Sequence, residues 1–226
     1  MIAGNSHDYP ARHGRSLMAV GFAFVSTSDE AVEGKMINLD KYRYVDLIFG
    51  EEKTTYPAKN RDYPKYKAFT PAMKAELQRF FRSGGRGLIS GSYIGTELFS
   101  PATPDSSDIL FAQNVLKIFN RTGHAAKTGA VDCAEPDLLR SDEPIVFNTN
   151  FSSTIYRVEA PDAIEPADSS ALTVFRYHEN NMSAGVAFNG TYRLVVLGFP
   201  FETVLGAKNR DALLFGIFNF LVSDRK

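Results

Sequence analysis

Apolar residues recur along this chain in two rhythms. Met73, Leu77, Phe80 and Phe81 stand at i, i+4, i+7 and i+8, which places them on one face of a helix. Thr70 precedes that helix as an N-cap, Pro71 suits its first turn, and Ser83-Gly84-Gly85 stops it. Residues 210–222 predict a closing helix with Leu213, Leu214, Ile217, Phe218 and Leu221 apolar, and residues 10–20 predict an opening one around Leu17, Met18 and Val20. The stretch 108–119 reads as a further helix through Ile109, Leu110, Val115 and Leu116. Short apolar runs predict strands at 22–27, 44–50, 86–91, 145–148, 172–177, 184–188 and 192–198. Glu179-Asn-Asn and Asn189-Gly suit hairpin turns, whereas residues 121–135 carry no clear period. Met1-Ile-Ala-Gly-Asn5 reads as the end of a strand, so the chain is expected to be a fragment of a longer protein. Strands alternate with helices in the first half, and strands dominate the second. The expectation is a single α/β domain over residues 1–226, a three-layer sandwich with a doubly wound, mostly parallel sheet and an antiparallel extension.

Composition narrows the function classes. At 226 residues, 44% hydrophobic and 23% charged, the chain can bury a substantial core, and bulk disorder is excluded. A net charge of -1 argues against a nucleic-acid binder. No apolar run approaches the ~20 residues of a membrane span, and no basic stretch followed by an apolar one marks a signal peptide. The one cysteine, Cys133, excludes a disulfide framework and a cysteine zinc site.

Two segments are similar to a known superfamily. Gly84-Gly-Arg-Gly-Leu-Ile-Ser-Gly-Ser-Tyr-Ile-Gly95 resembles the nucleophile-elbow strand of class I glutamine amidotransferase-like domains, which are flavodoxin-like. Leu194-Val-Val-Leu-Gly-Phe-Pro-Phe-Glu202, followed by Arg210 and an apolar helix, looks like the closing part of that superfamily. More narrowly, Gly4–Pro10, Ser28–Val32, Val45–Lys53 and Phe147–Phe151 resemble a bacterial family whose members are labelled xanthan lyase and carry this domain at the C-terminal end of a longer secreted protein. The resemblance implies a secreted or periplasmic setting, neighbouring domains of the same chain as partners, and a polysaccharide as ligand. It puts Ser92 at the nucleophile place and Glu202 near the acidic position. The match is incomplete: Ser stands where Cys is needed, Gly95 falls one residue late, and no His follows the late strand. The implied function is a non-catalytic accessory or binding domain of a secreted polysaccharide-processing protein. The alternative is a hydrolase or lyase acting on a glycan or amide with Ser92 at the elbow.

Ligands of open parallel sheets sit at the carboxyl ends of the strands. That rule gathers Asn5 to His7, Gly50 to Glu52, Gly91 to Tyr93, Asn148 to Asn150 and Phe199 to Glu202. The catalytic candidates are Ser92, with His7 as base and Glu202 as acidic partner; the ligand-binding candidates are Asn5, Glu51, Gly91, Tyr93 and Asn148. Ser92 is otherwise a turn residue between glycines. Glu51 and Glu52 with Glu202 can serve acid/base chemistry or form a solvated loop. His7 and His13, with Asp8 between them, lack the three or four convergent ligands of a metal site. His13 reads as a surface or capping histidine inside a helix. No metal and no cofactor are expected. Tyr42, Tyr44, Tyr56, Tyr63 and Tyr66, interleaved with lysines, form either a surface for sugar rings or a neighbouring domain, or ordinary packing over a loop.

Overall fold

The computed structural model describes residues 9–56, 66–100, 104–135 and 145–223. Helix α1 (Tyr9–Ala19) buries His13, Gly14, Ser16 and Leu17 along one face. The short helix α2 (Asp29–Glu33) leads to strand β1 (Tyr44–Gly50). Helix α3 (Pro71–Arg82) begins where its cap predicts, with the Met73 N–H donating to the Thr70 hydroxyl at 3.0 Å. Strand β2 (Arg86–Gly91) is buried from Gly87 onward and turns directly into helix α4 (Ile94–Leu98). Helix α5 (Ser106–Phe111) widens into a π turn over Ala112–Leu116 and stops at Lys117, whose φ is 62°. Strands β3 (Ile118–Thr122), β4 (Ala130–Cys133), β5 (Ile145–Val146), β6 (Ala163–Pro166), β7 (Ala171–Tyr177), β8 (Ser183–Asn189) and β9 (Arg193–Leu197) follow, and helix α6 (Ala207–Val222) closes the order.

The sheet corrects the fold expectation. Seven strands lie in the order β1-β2-β9-β8-β7-β4-β5, and β3 pairs with β6 in a separate two-stranded sheet. Only β1–β2 and β2–β9 are parallel; β9–β8, β8–β7, β7–β4, β4–β5 and β3–β6 are antiparallel. The protein is therefore a β-rich, mostly antiparallel assembly. It is not a parallel, doubly wound three-layer sandwich, and it is not flavodoxin-like. The cause lies in the connections. The short turns at Glu179–Asn181 and Gly190–Tyr192 can only return a strand beside its predecessor in the opposite direction. They put β7 and β8 at the centre of the sheet, where the expectation had placed an appendage.

Alternation of side chains across the strands separates two apolar clusters. Leu88, Val195 and Leu197 meet Leu213, Leu214, Ile217 and Leu221 of α6 on one face. Ile89, Leu194 and Val196 meet Met73, Leu77, Phe80 and Phe81 of α3 on the other. This packing fixes the carboxyl ends of β1, β2 and β9 side by side.

Candidate functional site

A buried polar cluster lies between helix α1, strand β1 and the turn that follows β9. Its centre is His13, one helical turn before Leu17 on the inward face of α1. The ring is 1% exposed and lies edge-on to Phe201, with centroids 4.7 Å apart. Nδ1 is 2.7 Å from Asp46 Oδ2, and Nε2 is 3.3 Å from Glu202 Oε2. Asp46 reaches this face because it is two residues beyond Tyr44 on β1. Glu202 reaches it from the 3-10 turn Phe201–Thr203 that follows β9. Burial is the largest influence on His13 and lowers its pKa. The charge and hydrogen bond of Asp46, then those of Glu202, reverse that effect and raise it to about 9. At neutral pH His13 is an imidazolium whose two N–H groups each donate to a carboxylate.

The cluster continues outward. Tyr156 donates its hydroxyl to Glu202 Oε1 at 2.7 Å, and burial, then the Glu202 carboxylate, push its pKa well up. Arg12 donates to the Glu202 carbonyl at 3.2 Å and to the Thr154 carbonyl at 2.8 Å, clasping the turn to the loop that carries Tyr156. Gly50 sits beneath them with φ 56°, and a Cβ there would lie 3.3 Å from Glu202 Oε1 and 3.4 Å from the Tyr156 hydroxyl. Glycine meets both demands, for backbone and for space.

The residues expected from the sequence divide into three groups. Gly50, Glu51, Gly91, Ser92, Tyr93 and Glu202 do lie at the ends of β1, β2 and β9. Asn5 and His7 lie outside the described residues. Asn148 is buried and donates to the carbonyls of Asn150 at 2.8 Å and Tyr156 at 2.9 Å, so it shapes the loop that presents Tyr156. Ser92 forms the turn: its N–H donates to the Gly50 carbonyl at 2.8 Å, while its hydroxyl is buried with no hydrogen-bond partner among the described residues. Tyr93 carries the Lys53 ammonium over its ring at 5.0 Å. Burial, then Glu51, Glu159 and Asp162, raise the pKa of Tyr93. Glu51 accepts the Glu159 N–H at 3.0 Å, and burial raises its pKa. Glu52 takes the Tyr66 hydroxyl and is not joined to Glu202.

His13 and Asp46 were missed as site residues. One signal was present: Asp46 interrupts the apolar run Val45 to Phe49, and a carboxylate in a buried strand calls for a partner. A second buried carboxyl stands nearby. Asp162 accepts the Thr96 N–H at 2.9 Å and the Thr96 hydroxyl at 2.6 Å, and burial pushes its pKa up to about 7. A cavity of about 530 Å³ opens elsewhere, between Thr54, Tyr56, Lys67 and Phe69 on one side and the helices α4 and α5 on the other, and Glu97, Asp105 and Asp108 also line it. Ser92, Tyr93 and Glu202 do not line it.

No family model matches the chain, and no curated protein does. Solved structures do. An "Exo-beta-1,4-mannosidase Op5Man5 from Opitutaceae bacterium strain TAV5" matches at a TM-score of 0.48 and 10% identity, over 84% of this chain and 27% of the other. The structure described as "mmIFT52 N-terminal domain" matches at a TM-score of 0.59 and 16% identity, over 94% of this chain and 90% of that one. What this likeness establishes is a shared fold over nearly the whole length of both chains.

Proposed function

We propose that this domain is a non-catalytic accessory or binding module of a secreted polysaccharide-processing protein. One observation carries the reading: the Ser92 hydroxyl at the elbow is sealed without a base, and the Glu202 carboxyl is sealed and engaged within the protein. Ser92 is fully buried, and its hydroxyl faces no base among the described residues. A serine hydroxyl without a base in hydrogen-bond reach is a poor nucleophile. Glu202 is fully buried as well, and its two carboxyl oxygens are held by His13 and Tyr156. Neither oxygen is open to solvent. The polysaccharide setting rests on the similarity of Gly4–Pro10, Ser28–Val32, Val45–Lys53 and Phe147–Phe151 to the family labelled xanthan lyase.

The test is to incubate the purified domain with a panel of bacterial and plant polysaccharides and score both retention and product release. Retention of a glycan without new reducing ends or unsaturated uronic products is expected. Product release that disappears in Ser92→Ala overturns the reading.

A further inference from the structure

The cavity beside α4 and α5 has walls that are tied to one another. The Thr54 N–H donates to Glu97 Oε2 at 2.9 Å, which fixes the stretch after β1 to α4. Thr55 and Tyr66 exchange backbone hydrogen bonds of 2.9 and 3.3 Å, which join that stretch to the wall at Lys67 and Phe69. Lys74 of α3 donates to the Ser107 hydroxyl at 2.8 Å and to Asp108, and so holds α5 against α3. Walls held in this way need little ordering when a ligand enters. The volume of about 530 Å³ lies within the range of about 300–1,000 Å³ typical of small-molecule pockets.

The ion pairs of the lining are matched within it, and its hydroxyls are not. Asp108 is buried between two ammonium groups, those of Lys74 and Lys67, the second at 3.2 Å. Asp105 takes Lys67 at 3.8 Å on one oxygen and the Ser107 N–H at 2.8 Å on the other. Glu97 Oε1 and the hydroxyls of Thr54, Tyr56 and Ser106 have no hydrogen-bond partner among the described residues. Phe69, Pro71 and Leu98 supply the apolar part of the lining.

Hydroxyls both donate and accept, and a carboxylate oxygen accepts. That set matches a ligand whose polar groups also do both and whose faces are apolar, which is a hydroxyl-rich ring. A cation would meet the Lys67 ammonium, and an anion would meet Glu97 and Asp105. We infer that this cavity is a binding site for an uncharged sugar ring. The inference rests on the glycan-binding role proposed above and gives that role a place away from the elbow.

Nuclear magnetic resonance of the intact chain tests it. The probes are the methyl glycosides of glucose, galactose and mannose, with glucosamine and glucuronate as cationic and anionic counterparts. At millimolar probe, the amide signals of Thr54, Glu97 and Ser106 should move with at least one neutral glycoside and with neither charged sugar. Glu97→Gln keeps an oxygen for the Thr54 N–H and should weaken that glycoside about tenfold. Ser106→Ala, on an exposed residue, should retain the fold and also weaken it. Signals that stay unmoved with every neutral glycoside overturn the inference, and so do a larger response to either charged sugar or full affinity in both variants. The binding role and its place fail separately. Polysaccharide retained with no movement at the cavity overturns the cavity alone, whereas movement at the cavity with no polysaccharide retained supports the cavity and overturns the wider role.

Discussion

Two buried carboxyls stand near the point where the chain leaves β9, and the fold treats them in opposite ways. Glu202 and Asp162 are both fully buried. Glu202 faces a cation, because His13 lies across from it and Asp46 holds the far side of the ring. Asp162 has hydrogen bonds from Thr96 and no cation against it among the described residues. Charge compensation keeps His13 protonated to about pH 9, whereas burial without compensation pushes Asp162 up to about 7. Burial alone therefore does not decide what a carboxyl does here. The partner decides.

The largest expected effect comes from breaking the compensated site. Glu202→Ala leaves the His13 imidazolium short of one carboxylate and the Tyr156 hydroxyl unpaired, and should cost about 3–5 kcal/mol. Asp162→Asn keeps an acceptor for Thr96 and removes an uncompensated carboxyl, and should cost about 1 kcal/mol. Denaturant unfolding of both variants near neutral pH measures the contrast. Equal losses would erase the distinction between the two sites.

The same contrast predicts how stability follows pH. His13 has a raised pKa in the folded state, so its contribution is complete below about 6.5 and is lost as pH rises through about 9. The loss is of order 3 kcal/mol. Asp162 is raised as well, so its contribution is complete below about pH 4 and fades by about pH 7. Stability should fall with rising pH across both windows. His13→Gln should flatten the upper window and leave the lower one, as thermal unfolding from pH 4 to 10 will show.

Smaller effects sharpen the outline of the cluster. Gly50→Ala places a side chain at φ 56° against Glu202 and Tyr156, and should cost about 1–3 kcal/mol in chemical denaturation. Ser92→Ala removes a buried hydroxyl that has no partner among the described residues, and should shift stability by less than about 0.5 kcal/mol in the same assay.

The sequence made the regular elements plain and the topology obscure. β1, α3, β2, β7, β8 and α6 lie where periodicity, the Thr70 cap and the Gly84-Gly85 stop put them. The run 108–119 broke because apolar spacing says nothing of the left-handed turn at Lys117, after which Ile118 starts β3. β4 and β6, four residues each, are too short for alternation to register. Phe22–Thr27 has strand composition, but a strand also needs a pairing partner, and local composition carries no information about one. The strand-end rule located Gly50, Glu51, Ser92 and Glu202. It missed His13 because a histidine inside a helix reads the same whether it faces solvent or two carboxylates.

Glu202 is paired with His13 through the hydrogen bond from Nε2. Nuclear magnetic resonance titration of the His13 imidazole reads that pairing without disturbing it. The ring should carry protons on both nitrogens through neutral pH and titrate near 9. A ring that titrates at or below the ordinary value of about 6.5 would show that the carboxylates do not hold it, and would return Glu202 to the candidates for chemistry.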